Sequence, residues 1–274
     1  MDINANGIPV HCEINGSGPY LTMIHGAGNN LHIWSKQAAG LAEHFSILTY
    51  DIRGNGRSGS GSHQTTPDML VEDLRCLLER LGISNSIILG HSMGAEIAIR
   101  FYLDYPQMVN AIIICNSIMG ALRSEKELTE MRMKRGDDQP DNDDNAGDLH
   151  DRIARLFSPN MSRCKPDVIA HYKETMLGNK IQRSQRERML LNGIIGRLID
   201  APSANARHIA CPALVINGSN DSLVRPSVVE SVAHCFNNMR VEVLDTGHFP
   251  FLELPDEFNS IVIDFAKNNA YQGK

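Results

Sequence analysis

No apolar run in the 274 residues approaches the ~18 residues that a membrane-spanning helix requires; Ala111 to Cys115 is among the longest, so no segment is expected to cross a bilayer. The six cysteines (Cys12, Cys76, Cys115, Cys164, Cys211 and Cys235) form no Cys-x-x-Cys pair. That scatter fits reduced, small apolar side chains and excludes a zinc or disulfide framework. Positive charge is in deficit, with 26 lysines and arginines against 32 acids and a net charge of -6. Such a molecule repels phosphate backbones and anionic membrane surfaces, and neither nucleic acid nor membrane is expected as a partner. Residues 1–7 lack the basic start and apolar stretch of a secretory leader, so the expected address is cytoplasmic. There is no internal repeat.

What remains is ordinary globular composition, 42% hydrophobic and 21% charged, in a chain long enough to bury a substantial core. Asp2 to Ala5 and Ile8 to Ile14 flank Asn6-Gly7, the dipeptide suited to the positive backbone angles of a tight hairpin. Further strands are predicted at Tyr20 to Ile24, Ser46 to Tyr50, Ser86 to Leu89, Ala111 to Cys115, Ala213 to Ile216 and Val241 to Leu244. Helical spacing occupies Leu31 to Ala42, Thr66 to Leu81, Ser92 to Tyr105, Ser227 to Phe236 and Pro255 to Ala270. Strand and helix in alternation predict an α/β fold, a mostly parallel central sheet with helices on both faces.

The alternation stops between Ile118 and Ala206, where helix-like segments stand near Leu122 to Lys134, Leu149 to Phe157 and Arg183 to Ile199. The expectation is a core domain of residues 1–117 and 207–274 with a helical lid inserted at 118–206. Its methionines (Met119, Met131, Met133, Met161, Met176 and Met189) suit helix packing or an adaptable lid over an apolar ligand. The acidic stretch Gly136 to Asp148 fails as a calcium loop. Counted from Asp141, the glycine position holds Ala146 and the closing acid is Arg152, so a solvated loop is expected and no metal site.

Gly90-His91-Ser92-Met93-Gly94 matches G-x-S-x-G between a predicted strand and a predicted helix. So tight a turn needs glycines where side chains would strike backbone, and it holds the serine outward in a strained conformation. At the helix start, backbone N–H groups also lie beneath a developing oxyanion. A serine hydroxyl needs a base, and the base needs a partner to fix its tautomer. Asn217 to Asp221 follows one predicted strand and Asp245 to His248 another, and ligands gather at strand carboxyl ends in open parallel sheets. Ser92, His248 and Asp221 are therefore the catalytic candidates. Asp245, three residues before His248, is a rival acid, and Asn116 carries no charge to serve instead.

His25-Gly26-Ala27-Gly28 closes another strand, and the N–H of Ala27 joins that of Met93 as the candidate oxyanion hole. An ordinary strand-to-helix turn is the alternative account. Asn29, Asn30, Trp34 and His91 are candidate substrate contacts, Trp34 being equally suited to packing on the sheet. Gly54-Asn55-Gly56-Arg57-Ser58-Gly59 spells G-x-G-x-x-G, but loop residues Ser60 to Pro67 follow it where a dinucleotide fingerprint opens a helix. No cofactor is expected.

These motifs, together with Asp51 to Ser58 and Gly247-His248, resemble the α/β-hydrolase superfamily over essentially the whole chain. The resemblance implies that Asp51 to Ser58 is a structural loop and that 118–206 is a cap over the active site. It extends to small ester and lactone hydrolases, including 3-oxoadipate enol-lactonases. Relatives with an aspartate nucleophile are disfavoured by Ser92. The expected activity is hydrolysis of an ester or lactone of a small, partly apolar molecule through an acyl-enzyme. The same triad also serves C–C bond hydrolysis, thioester cleavage or a cofactor-free lyase reaction, and a non-catalytic receptor can keep the fold. Oligomeric state is not encoded in these motifs.

Overall fold

The computed structural model describes residues 1–62, 65–122, 153–164, 166–178, 208–225 and 227–269. An eight-stranded sheet runs in the order β1-β2-β4-β3-β5-β6-β7-β8. Its strands are β1 (Asp2–Ala5), β2 (Ile8–Asn15), β3 (Tyr20–Ile24), β4 (Ser46–Tyr50), β5 (Ser86–His91), β6 (Val109–Cys115), β7 (Ala213–Gly218) and β8 (Met239–Leu244). β1 and β2 form an antiparallel hairpin, and β2 also runs antiparallel to β4. From β4 to β8 every pairing is parallel. At the hairpin turn Asn6 and Gly7 both take positive φ, 47° and 77°, as their sequence predicts.

The central strands β3 to β7 are buried on both faces, so they read as near-continuous apolar runs whose side chains divide by parity. Ile88, Ile112, Ile114 and Val215 face the side covered by α2 (Pro67–Arg80) and α3 (Met93–Asp104). Ile87, Leu89, Ile113 and Leu214 face the side covered by α1 (Ser35–Leu41) and a C-terminal helix, Pro255–Asn269, which contributes Phe258, Val262 and Phe265. The predicted helix Leu31 to Ala42 is two elements, a 3-10 turn at Leu31–Trp34 and then α1.

Between β6 and β7 the described residues form no strand. They include two helices that the sequence reading did not anticipate, α4 (Pro159–Cys164) and α5 (Pro166–Gly178). The expected helix at 183–199, most of that at 122–134 and the acidic loop at 136–148 lie outside the described residues. Met119 and Met161 are buried packing residues. Further along come α6 (Ser227–Val232) and a short α7 (Pro250–Glu253), which makes the C-terminal helix α8. No helix among the described residues is long and apolar enough to cross a membrane.

The sheet order sets β3, β5, β6, β7 and β8 side by side. The loops leaving their carboxyl ends carry His25 to Gly28, Ser92, Asn116, Asp221 and His248, residues spread over most of the sequence.

Candidate active site

Ser92 sits between β5 and α3 with φ 53° and ψ -118°, a combination that L-residues rarely adopt. Flanking glycines make the turn possible. A Cβ on Gly90 would lie 2.3 Å from the carbonyl oxygen of Gly94, and one on Gly94 would lie 2.3 Å from that of Ile24. Met93, first residue of α3, has an N–H with no acceptor inside the helix.

His248 is held at three points. Its Nδ1 lies 2.8 Å from Asp221 Oδ2, its N–H donates to the Leu156 carbonyl at 2.6 Å, and its carbonyl accepts from His91 Nε2 at 2.8 Å. A carboxylate only accepts, so Nδ1 carries the proton and the lone pair of the neutral ring stays on Nε2.

Asp221 Oδ1 accepts from the Leu223 N–H at 2.7 Å, while Oδ2 is shared by His248 and the amide nitrogen of Asn116. Burial works to raise the Asp221 carboxyl. The donors from His248, Asn116 and Leu223 overcome that and hold it below its ordinary value. Asp245, the rival acid, is exposed and accepts from Asn220 at 2.7 Å. The structure thus brings Asp221, not Asp245, to the imidazole.

Ser92 and His248 line one cavity of about 540 Å³, together with Ala27, Asn29, His91 and Met93. Asn30 and Trp34, taken from the sequence as candidate substrate contacts, are not in its wall. The Asn30 side chain caps the 3-10 turn by accepting from the His32 N–H at 2.9 Å. Trp34 is fully buried against Phe251, ring centroids 4.3 Å apart. His91 does line the cavity, but its Nε2 is committed to the His248 carbonyl and its ring packs on His248 at 4.7 Å. Burial first, and the adjacent His248 second, push the His91 imidazole well below its ordinary value, so it stays neutral. No cluster of metal-ligating side chains occurs among the described residues.

Two supporting residues escaped the sequence reading. Asn116, read there only as lacking charge, donates to Asp221. Glu253, in α7, accepts from the Gly247 N–H at 2.8 Å and the Ser158 N–H at 3.2 Å, fastening the histidine loop to the stretch between β6 and β7. The only sequence signal for either was a polar residue in an apolar setting. Asp51 matches the structural-loop expectation: its side chain accepts from the N–H groups of Leu31 and Arg57, at 2.8 and 2.7 Å.

The family described as alpha/beta hydrolase fold matches residues 19–255. The chain belongs to this family. A fluoroacetate dehalogenase from Burkholderia is 30% identical over 123 residues, covering 42% of this chain and 40% of that relative's length. Among solved structures, a thermophilic esterase from Thermogutta terrifontis has 22% identity and a TM-score of 0.77, with 98% of each chain covered. An enol-lactonase from Burkholderia xenovorans has 24% identity and a TM-score of 0.75, covering 97% of this chain and 100% of that one. At these identities the two structures show the common fold.

Proposed function

We propose that this α/β-hydrolase is a serine hydrolase that cleaves a carboxylic ester or lactone of a small molecule through an acyl-enzyme on Ser92. The observation that carries the reading is the strained Ser92 in one cavity with a histidine whose Nδ1 is bound to a buried carboxylate. His248 Nε2 takes the Ser92 proton as Oγ attacks the carbonyl carbon. The oxyanion is received by the N–H groups of Ala27 and Met93, and Asp221 stabilises the imidazolium. Collapse expels the alcohol, which takes the proton from His248. Water, deprotonated by the same Nε2, then attacks the acyl carbon and releases the acid and Ser92.

A serine at the elbow supports this chemistry over displacement by an aspartate, since a hydroxyl gives an acyl-enzyme that water can resolve. A cap role for the segment between β6 and β7 is supported by its described residues Leu156 and Tyr172, which stand in the cavity wall. The test is labelling by a neutral alkyl fluorophosphonate, with the adduct located by mass spectrometry. Wild type should carry it on Ser92, and Ser92→Ala should lose it with at least ~10³-fold of ester turnover. Labelling that survives in Ser92→Ala overturns the assignment.

A further inference from the structure

A second cavity, of about 160 Å³, lies where the 3-10 turn at Leu31–Trp34 and the start of α1 meet α5. Ile33, Val168 and Leu252 give it apolar walls, while His32, Lys36 and Asp167 at its rim are exposed, so it opens toward solvent. Among the described residues, Tyr172 alone lines both this cavity and the one that holds Ser92. The phenol is the wall that the two cavities share.

That wall is braced at its ring and at its tip. Tyr172 is 3% exposed, with its ring centroid 4.6 Å from that of Phe249 and 5.5 Å from that of Phe157. Its hydroxyl is hydrogen-bonded to the Asn29 side chain, which also donates to the Ala27 carbonyl at 3.3 Å. Phe249, Asn29 and Ala27 all line the Ser92 cavity, so the phenol is fixed to the same wall that would receive a substrate. Swinging it aside would break the hydrogen bond and the ring contacts together, which keeps the two cavities separate.

Resting on the serine-hydrolase reading, we infer that Tyr172 sets the length of chain the enzyme accepts: an apolar chain on the scissile group extends as far as the phenol, and the second cavity is the room withheld from longer ones. Each added methylene that finds apolar space should speed reaction by up to about fourfold. The first one forced against the braced ring should instead slow it by about fivefold or more. The withheld room is useful in size, since a cavity of about 150 Å³ takes a benzene-sized group.

The test uses alkyl fluorophosphonates of increasing chain length, reading the second-order rate of Ser92 modification. In wild type the rate should rise with length to a maximum and then fall. Tyr172→Ala should move that maximum to longer chains by about three carbons or more, the room of the second cavity. Tyr172→Val, a smaller excision from the aromatic cluster, should move it the same way where the alanine variant does not fold. Val168→Trp fills the second cavity, so it should leave the wild-type maximum in place and cancel the gain when combined with either Tyr172 variant. A purely structural Tyr172 would lower the melting temperature and leave the maximum unmoved. A wild-type profile with no maximum overturns the inference whether or not the variants fold, as does an unmoved maximum in a folded Tyr172 variant or a gain that survives Val168→Trp. Failure of the shortest probe to modify Ser92 instead brings down the serine-hydrolase reading beneath it.

Discussion

Glu253→Ala is the most informative perturbation of the scaffold around His248. In the native protein this carboxylate is 2% exposed and accepts the Gly247 and Ser158 N–H groups. Truncation leaves both buried donors without an acceptor, at about 1–3 kcal/mol each. Relief of burying a charged carboxyl offsets part of that, and the expected net loss is ~2–4 kcal/mol. For a chain of this size the melting temperature should fall by roughly 5–12 °C. Because Gly247 precedes His248, kcat should drop by about tenfold, equivalent to ~1.4 kcal/mol in the barrier. Urea denaturation and steady-state ester hydrolysis at pH 7 measure the two effects.

Glu253→Gln separates charge from shape. Burial raises the Glu253 carboxyl above its ordinary value, partly countered by its hydrogen bonds to Ser158 and Gly247. Folded protein therefore binds this proton at a higher pH than unfolded chain does. The group's contribution to stability grows as pH falls through the raised pKa, and shrinks as pH rises through it. Wild type should gain on Glu253→Gln as pH is lowered from 7 toward 5. Stabilities of both variants within ~0.5 kcal/mol of wild type, flat across that range, would refute the clamp.

Three other substitutions address the triad and its elbow. Asp221→Asn should lower kcat by ~10³- to 10⁴-fold with the fold intact, because the amide no longer enforces Nδ1–H on His248; circular dichroism and turnover check this. Asn116→Asp replaces a donor to Asp221 with a like charge, so the acid limb of the pH–kcat/KM profile should move to higher pH. Gly94→Ala would place a Cβ 2.3 Å from the Ile24 carbonyl and 2.6 Å from that of His25, both rigid backbone. Soluble yield should fall with about 3 kcal/mol of overpacking, read by thermal melting.

The centre of the sheet was legible because β3 to β7 are buried on both faces and bounded by polar turns. Predicted ends differ mainly where polar residues continue a ladder, as Arg240 does near the start of β8. The elbow was legible because the stereochemistry of Ser92 demands glycine at two fixed positions. Distant partners were legible only as residues at strand ends. Which acid meets His248 depends on where the loop after β7 folds, and Asn116 gains its role solely through that fold. α5 was not anticipated even though Ile169 and Tyr172, three residues apart on one face, pack on the core. Trp34 stayed open between two accounts, since an aromatic near a glycine-rich loop fits a pocket wall as well as the packing on Phe251 that it makes.

The stretch from Arg155 to Ser158 touches both loops that carry the acid and the base. The Arg155 carbonyl accepts from the Ser222 hydroxyl at 3.0 Å, the Leu156 carbonyl from the His248 N–H, and Ser158 donates to Glu253. A chimera that transplants the 118–206 insertion from a homologue thus has its splice point dictated. A graft that spares Arg155 to Ser158 leaves the mounting of the base in place, whereas one that replaces those residues exchanges it together with Leu156 of the cavity wall.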